Sequence, residues 1–205
     1  MDIKETVTIL LATIILALTV AFKDTPIFLS SLISFLIIIS INVLAKKIIG
    51  FHFETEVKTK FWTWQQFGLR KDMHFKKPIP MAWLPLLLTL FTKGHFFWLG
   101  ILEFDIKAKA ERVAKRHGIY RFTEVTEWHI ALIAVWGIIA NIIFAIGGYI
   151  LGFELFAKLS LYFIAWSIIP LSRLDGAKIF YASRGLWMTM FAITVIVLGW
   201  GLIIL

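Results

Sequence analysis

The sequence predicts an α-helical integral membrane protein with about five transmembrane helices and a membrane-associated β-rich and re-entrant region between the second and third. Three observations carry that prediction. Of 205 residues, 60% are hydrophobic and 17% charged, more apolar surface than a soluble core of this length can absorb. The apolar residues gather in runs of about 20, each long enough to cross about 30 Å of hydrocarbon. Between Lys46 and Glu127 those runs give way to alternation, prolines and basic clusters. The absence of cysteine excludes thiol catalysis and thiolate metal ligation. The net charge of +8 is read as membrane orientation and not as nucleic-acid binding.

The first two spans are placed at residues 6–22 and 26–47. Lys23, Asp24 and Thr25 alone separate them, so they are expected to form a tight helical hairpin. The first run is expected to stay uncleaved, since Asp2, Lys4 and Glu5 replace a basic start and no small-residue cleavage site follows. Residues 51–75 are read as β-rich and interfacial, because Phe51 to Val57 alternates apolar and polar residues and Phe61-Trp62-Thr63-Trp64 follows suit. Residues 79–104 hold two apolar stretches, of which the first, Ile79 to Phe91, is too short and proline-rich for a full span. Thr92 to His95 breaks them at the middle, which predicts a re-entrant hairpin. Residues 105–127 form a basic cytosolic segment, with Lys107 to Arg121 as a helix that obeys the orientation rule or is drawn to anionic lipid, at about 1 kcal/mol per basic residue. The remaining spans fall at 128–151, 154–172 and 186–205, with Pro170 to Gly176 continuing the fourth as irregular backbone. No linker or repeat divides the chain, which reads as one membrane domain.

The basic residues orient it. Lys46 to Lys77 carries eight, Lys107 to Arg121 six, Arg173 to Arg184 three, and Lys4 one. All fall on one face if the amino terminus is inside, with Lys93 at the hairpin tip and Lys23 and Lys158 opposite. The expectation is a multi-pass protein of the cell membrane, amino terminus cytoplasmic and carboxyl terminus outside.

Polar groups inside spans are costly and mark function or helix packing. Three places qualify: Asn42 with Lys46, one helical turn apart; Asn141 in mid-span; and Asp175 beyond Pro170. Each has an ordinary role open to it. Lys46 and Lys47 can snorkel to the headgroups, Asn141 can hold two helices together, and Asp175 can pair with Arg173 or Lys178.

Together these residues carry a resemblance. Pro170, Leu174, Asp175 and Gly176 match the Asn-x-x-Pro-x-x-x-Leu-Asp-Gly element of the site-2 proteases, the M50 group of intramembrane zinc metalloproteases, with Ser167 at the asparagine position. Gly137 and Asn141 resemble the Gly-Pro-x-x-Asn element of the preceding core helix, with Ile138 in place of proline. The resemblance covers roughly Ile37 to Arg184 and is closest to the compact archaeal members. It implies a site-2-protease-like core.

The departure lies at the metal site. Members of that family carry His-Glu-x-x-His ahead of the β-rich region, two histidines on one helical face for zinc and a glutamate as general base. Here Asn42, Val43 and Lys46 stand at those positions. The histidines are His52, His74, His95, His117 and His129, no two of them three or four residues apart. Asp175, the third ligand in the family, is left alone, and a catalytic zinc normally uses three protein ligands. No cofactor is expected. In the family's geometry the second histidine position faces the aspartate, so a Lys46 ammonium is expected to neutralise Asp175, with Asn42 adding hydrogen bonds.

The leading expectation is a non-catalytic pseudoprotease that binds or regulates other transmembrane segments, holding an extended peptide at a strand edge or the hairpin. Its partners are a membrane protein and the bilayer, with no nucleic acid. Two alternatives stand beside it. One is an active zinc enzyme using Asp175 with His52 or His95 and Glu54 or Glu56 as base. The other is a small transporter or channel using Asn42, Lys46, Asn141 and Asp175 as a polar pathway, disfavoured by the few spans and the lack of repeated halves.

Overall fold

The computed structural model describes residues 2–66, 74–109 and 125–204. Among these, four helical segments are long and apolar enough to cross a membrane: Ile3–Val20, Thr25–His52, Glu127–Ile150 and Arg184–Ile204. We label the helices α1 (Ile3–Val20), α2 (Phe28–His52), α3 (Leu84–Phe91), α4 (Glu127–Ile150), α5 (Glu154–Ser167), α6 (Asp175–Ala182) and α7 (Arg184–Ile204). The strands are β1 (Thr55–Phe61), β2 (Thr63–Gln66), β3 (His74–Pro80) and β4 (Leu102–Ala108). Large apolar side chains such as Leu29, Ile48, Ile150 and Ile196 face outward, as expected of helices solvated by lipid tails. Buried residues of α1, α2 and α5, with Leu99 and Ile101, make one apolar cluster; those of α4, α5 and α6, with Phe104 of β4, make another.

The α1–α2 hairpin turns at a short 3-10 segment, Thr25–Ile27, that carries Pro26 in its first turn. At the other end of the hairpin α2 runs on to His52. Phe51-His52-Phe53, expected to open a strand, is therefore the last helical turn and its cap: three alternating residues do not outweigh a continuing i→i+4 ladder. The strand starts after a left-handed turn residue, Glu54 (φ 53°).

β1 pairs antiparallel with β4, Thr55 opposite Ala108 and Phe61 opposite Leu102. β2 pairs antiparallel with β3, Thr63 opposite Pro80. One residue joins the two ladders: Trp62 donates its N–H to Ile101 O, and its carbonyl accepts from Met81 N. Residues 82–100 thus leave and rejoin the strands at a single point. They run beside α1, whose first turn meets β1 at Glu5, to its far end, where His95 Nε2 lies 3.2 Å from Lys23 Nζ.

Three further boundaries differ from expectation. β3 and β4 occupy the two ends of the stretch read as a hairpin over 79–104. β4 extends into the segment read as 105–127, because Phe104 and Ile106 alternate with Glu103, Asp105 and Lys107 in a period of two. Lys107 and Ala108 are accordingly strand and not the start of a basic helix; residues 110–121 of that helix lie outside the described residues. The stretch read as the fourth span is a 14-residue helix, about 21 Å at 1.5 Å per residue, followed by irregular backbone as far as Leu174, and it is not among the helices long enough to cross a membrane.

Candidate functional site

Lys46, in the last third of α2, and Asp175, at the first position of α6, are 129 residues apart in sequence and 2.6 Å apart in space, Nζ to Oδ2. Both are buried, 5% and 4% exposed. Local chemistry places each. On α2, Gly137 of α4 makes room: a Cβ there would stand 2.6 Å from Lys46 Cε and 3.1 Å from Asn42 Nδ2. At Asp175, the chain turns through Pro170 and Ser172 (φ 50°), and Gly176 lets α6 begin against the end of α5. A Cβ on Gly176 would lie 1.9 Å from the carbonyl oxygen of Ile168, a backbone atom that cannot move aside. Leu174, buried with Trp62 and Met81, anchors the turn.

Phe104 of β4 forms the wall of this junction. Lys46 Nζ stands 4.8 Å from its ring centroid and Lys178 Nζ 3.4 Å. Lys178 also donates a hydrogen bond to Phe104 O. Both lysine amines thus lie over the Phe104 ring, and one carboxylate faces Lys46. Asp175 pairs with neither Arg173 nor Lys178; Arg173 turns instead toward Glu103, at 3.7 Å.

The other expected members are only partly brought in. Asn42 Nδ2 lies against Gly137, and Asn141 follows one turn further along α4. Asn42 Nδ2, both side-chain polar atoms of Asn141, and Asp175 Oδ1 are buried with no hydrogen-bond partner among the described residues. Asn42 therefore adds no bond to the ion pair. Val43 packs into the apolar cluster of α1, α2 and α5. Ser167 bonds back to Phe163 O within α5.

Zinc, implied by the resemblance, does not fit these residues. An ammonium holds one of the two Asp175 oxygens and supplies the positive charge a metal would bring. Among the described residues no three His, Asp or Glu side chains converge as a metal site requires. His52 is exposed at the end of α2, and His95 sits at the loop tip. His129 is engaged by Thr126 at the start of α4. Glu54 is a turn residue, and Glu56 faces Lys58 at 3.2 Å. The side chain of His74 and all of His117 lie outside the described residues.

Sequence reasoning missed two further buried carboxylates. Glu5 of α1 takes Lys47 Nζ at 2.5 Å and the N–H of Thr59 at 3.0 Å, so Lys47 is paired and does not snorkel. Glu103, 2% exposed, accepts from the N–H and hydroxyl of Thr63 and lies 3.3 Å from Lys60. Lys60 also meets Asp105 at 2.6 Å. Burial opposes both charges there, yet the mutual hydrogen bond and surrounding charges outweigh it, holding the Lys60 ammonium above its ordinary range and the Asp105 carboxyl below its own.

These contacts blunt the strand edges. Thr59 on β1 gives its N–H to Glu5, and Phe104 on β4 gives its carbonyl to Lys178. Thr63 on β2 is held by Glu103 and by the Ser172 hydroxyl. β3 carries Pro78 and Pro80, which have no N–H to offer. At the far end of the bundle a groove of about 860 Å³ opens between α2, α4 and α5, its lining including Ile37, Phe144 and Phe156 with the small residues Ser34 and Gly147. No family model, curated protein or solved structure matches this chain.

Proposed function

We propose that this chain is a non-catalytic relative of the site-2 proteases that binds or regulates other transmembrane segments. The observation that carries the reading is the Lys46–Asp175 pair at 2.6 Å. An ammonium stands on the carboxylate where such an enzyme needs a metal, and Val43, at the general-base position, has no group that can take a proton. What remains of such a site is a lock between α2 and α6.

In this reading the chain crosses the cell membrane five times, the short α5 completed by residues 168–174, with the amino terminus in the cytoplasm. Residues 82–100 form the re-entrant element, supported by their course along the length of α1. Strand addition would require displacing Glu5, Glu103 or Lys178. The groove between α2 and α4 is therefore the surface we assign to a partner helix, since Ser34 and Gly147 allow close backbone approach.

Two measurements test this. Metal analysis of the purified protein beside Asp175→Ala should show no zinc that depends on the carboxylate; near-stoichiometric zinc lost in the variant would restore the enzyme. Photo-crosslinkers at Ile37 and Phe144 should join to sequenced transmembrane peptides, reproducible with the purified partner, while one at Leu202 does not. Crosslinking to lipid alone from all three positions would remove the proposed partner.

A further inference from the structure

A second polar site lies at the sheet end of the α1–α2 hairpin. A cavity of about 240 Å³ opens there between the first turn of α1, the last turn of α2 and β1. Its floor is the Glu5–Lys47 pair, already satisfied. Its walls carry both signs of charge: Asp2 and Glu56 against Lys58 and Lys109. Two of these have no charged partner among the described residues. Asp2 occupies the N-cap position of α1 without making the side-chain cap bond, although its type is well suited to it. Lys109 rests 4.4 Å above the ring of Phe51. Glu56 and Lys58 form an exposed pair at 3.2 Å, weak enough to exchange partners.

The position narrows the ligand. The cavity sits where two membrane-length helices start and end, hence where hydrocarbon gives way to headgroups. Beside it Ile3 and Phe51 are 81% and 72% exposed, an apolar flank under a mixed-charge cup. That is the complement of an amphiphile whose head bears one anion and one hydrogen-bonding cation. At about 30 Å³ per water-sized group the cavity holds about eight non-hydrogen atoms, the size of a phosphoethanolamine group.

We propose that this cavity binds the headgroup of a zwitterionic ethanolamine phospholipid, the ammonium on Asp2 and the phosphate on Lys109. Choline keeps the charge but offers no N–H to Asp2, and glycerol lacks the cation, so both bind less well. The proposal rests on the membrane helices and not on the pseudoprotease reading, so either can fail alone.

The test is lipid binding by native mass spectrometry of the full chain in detergent, with ethanolamine, choline and glycerol phospholipids of matched acyl chains. The ethanolamine lipid should bind about five- to tenfold more tightly than either, the worth of one charge-assisted hydrogen bond. Asp2→Asn should erase that preference, lowering the ethanolamine lipid to about the affinity of the other two. Lys109→Met should weaken all three lipids alike, and Lys23→Ala, at the other end of α1, should change nothing. Equal binding of the three lipids, tighter binding of the glycerol lipid, or no effect of Asp2→Asn would overturn the assignment. Soluble glycerophosphoethanolamine binding as tightly as the lipid would overturn the membrane source.

Discussion

Removing either member of the Lys46–Asp175 pair leaves the other buried without its ion-pair partner. The intact pair adds little net stability, because desolvation offsets its Coulomb energy, whereas a stranded buried charge costs about 3–5 kcal/mol. Lys46→Met and Asp175→Asn should each destabilise by roughly that amount, and the double variant should recover part of the loss. A thermal-unfolding cycle in detergent reads this out; simple additivity would mean that the two groups are not coupled. The pair is expected from the sequence because the resemblance implies that the positions of Lys46 and Asp175 face one another; the helix that Asp175 opens was not legible, since Pro170 to Gly176 reads as irregular backbone. Glu5–Lys47 was not legible. Glu5 lies in the first turn of an apolar helix, its partner is 42 residues away, and nothing local in either segment signals the other. Glu103 was hidden differently, at the edge of an aromatic run that read as continuous.

At the scale of elements, two glycines separate packing that is required from packing that is not. Gly176 fixes how α6 meets α5, with the Ile168 carbonyl 1.9 Å from where a Cβ would stand. Gly176→Ala should therefore destabilise by about 3 kcal/mol or more, the upper range of overpacking. Gly147 in α4 would direct a Cβ to open space, with nothing within 4 Å. Gly147→Ala should be neutral or stabilising by up to about 1 kcal/mol from helix propensity. Detergent thermal melts of the two variants side by side check both; equal losses would place the α5–α6 junction elsewhere. The four long helices, α1, α2, α4 and α7, were legible because hydropathy over 18 or more residues is a strong signal; α3 and α6, eight residues each, were not. The strands were half legible: β1 was read from alternation but begun too early, and β4 was missed because its period-two stretch straddles an apolar run and a basic one.

For the whole molecule, the orientation proposed from the basic residues makes a direct prediction. The chain has no cysteine, so single replacements report position without background. Glu56→Cys, beside the sheet, should react with an impermeant thiol reagent in inside-out vesicles, and Lys93→Cys, at the loop tip near Lys23, in right-side-out vesicles. Labelling of both from the same side would put residues 82–100 on one surface and end the re-entrant reading. The strand arrangement carries one more consequence. Because Met81 and Ile101 both bond to the backbone of Trp62, residues 82–100 are, in topological terms, a cassette spliced into a hairpin. A tight turn joining Met81 to Ile101 would close the same two ladders. Residues 82–96 could therefore change in length without disturbing either ladder, provided Leu99 keeps its place in the apolar cluster of α1, α2 and α5.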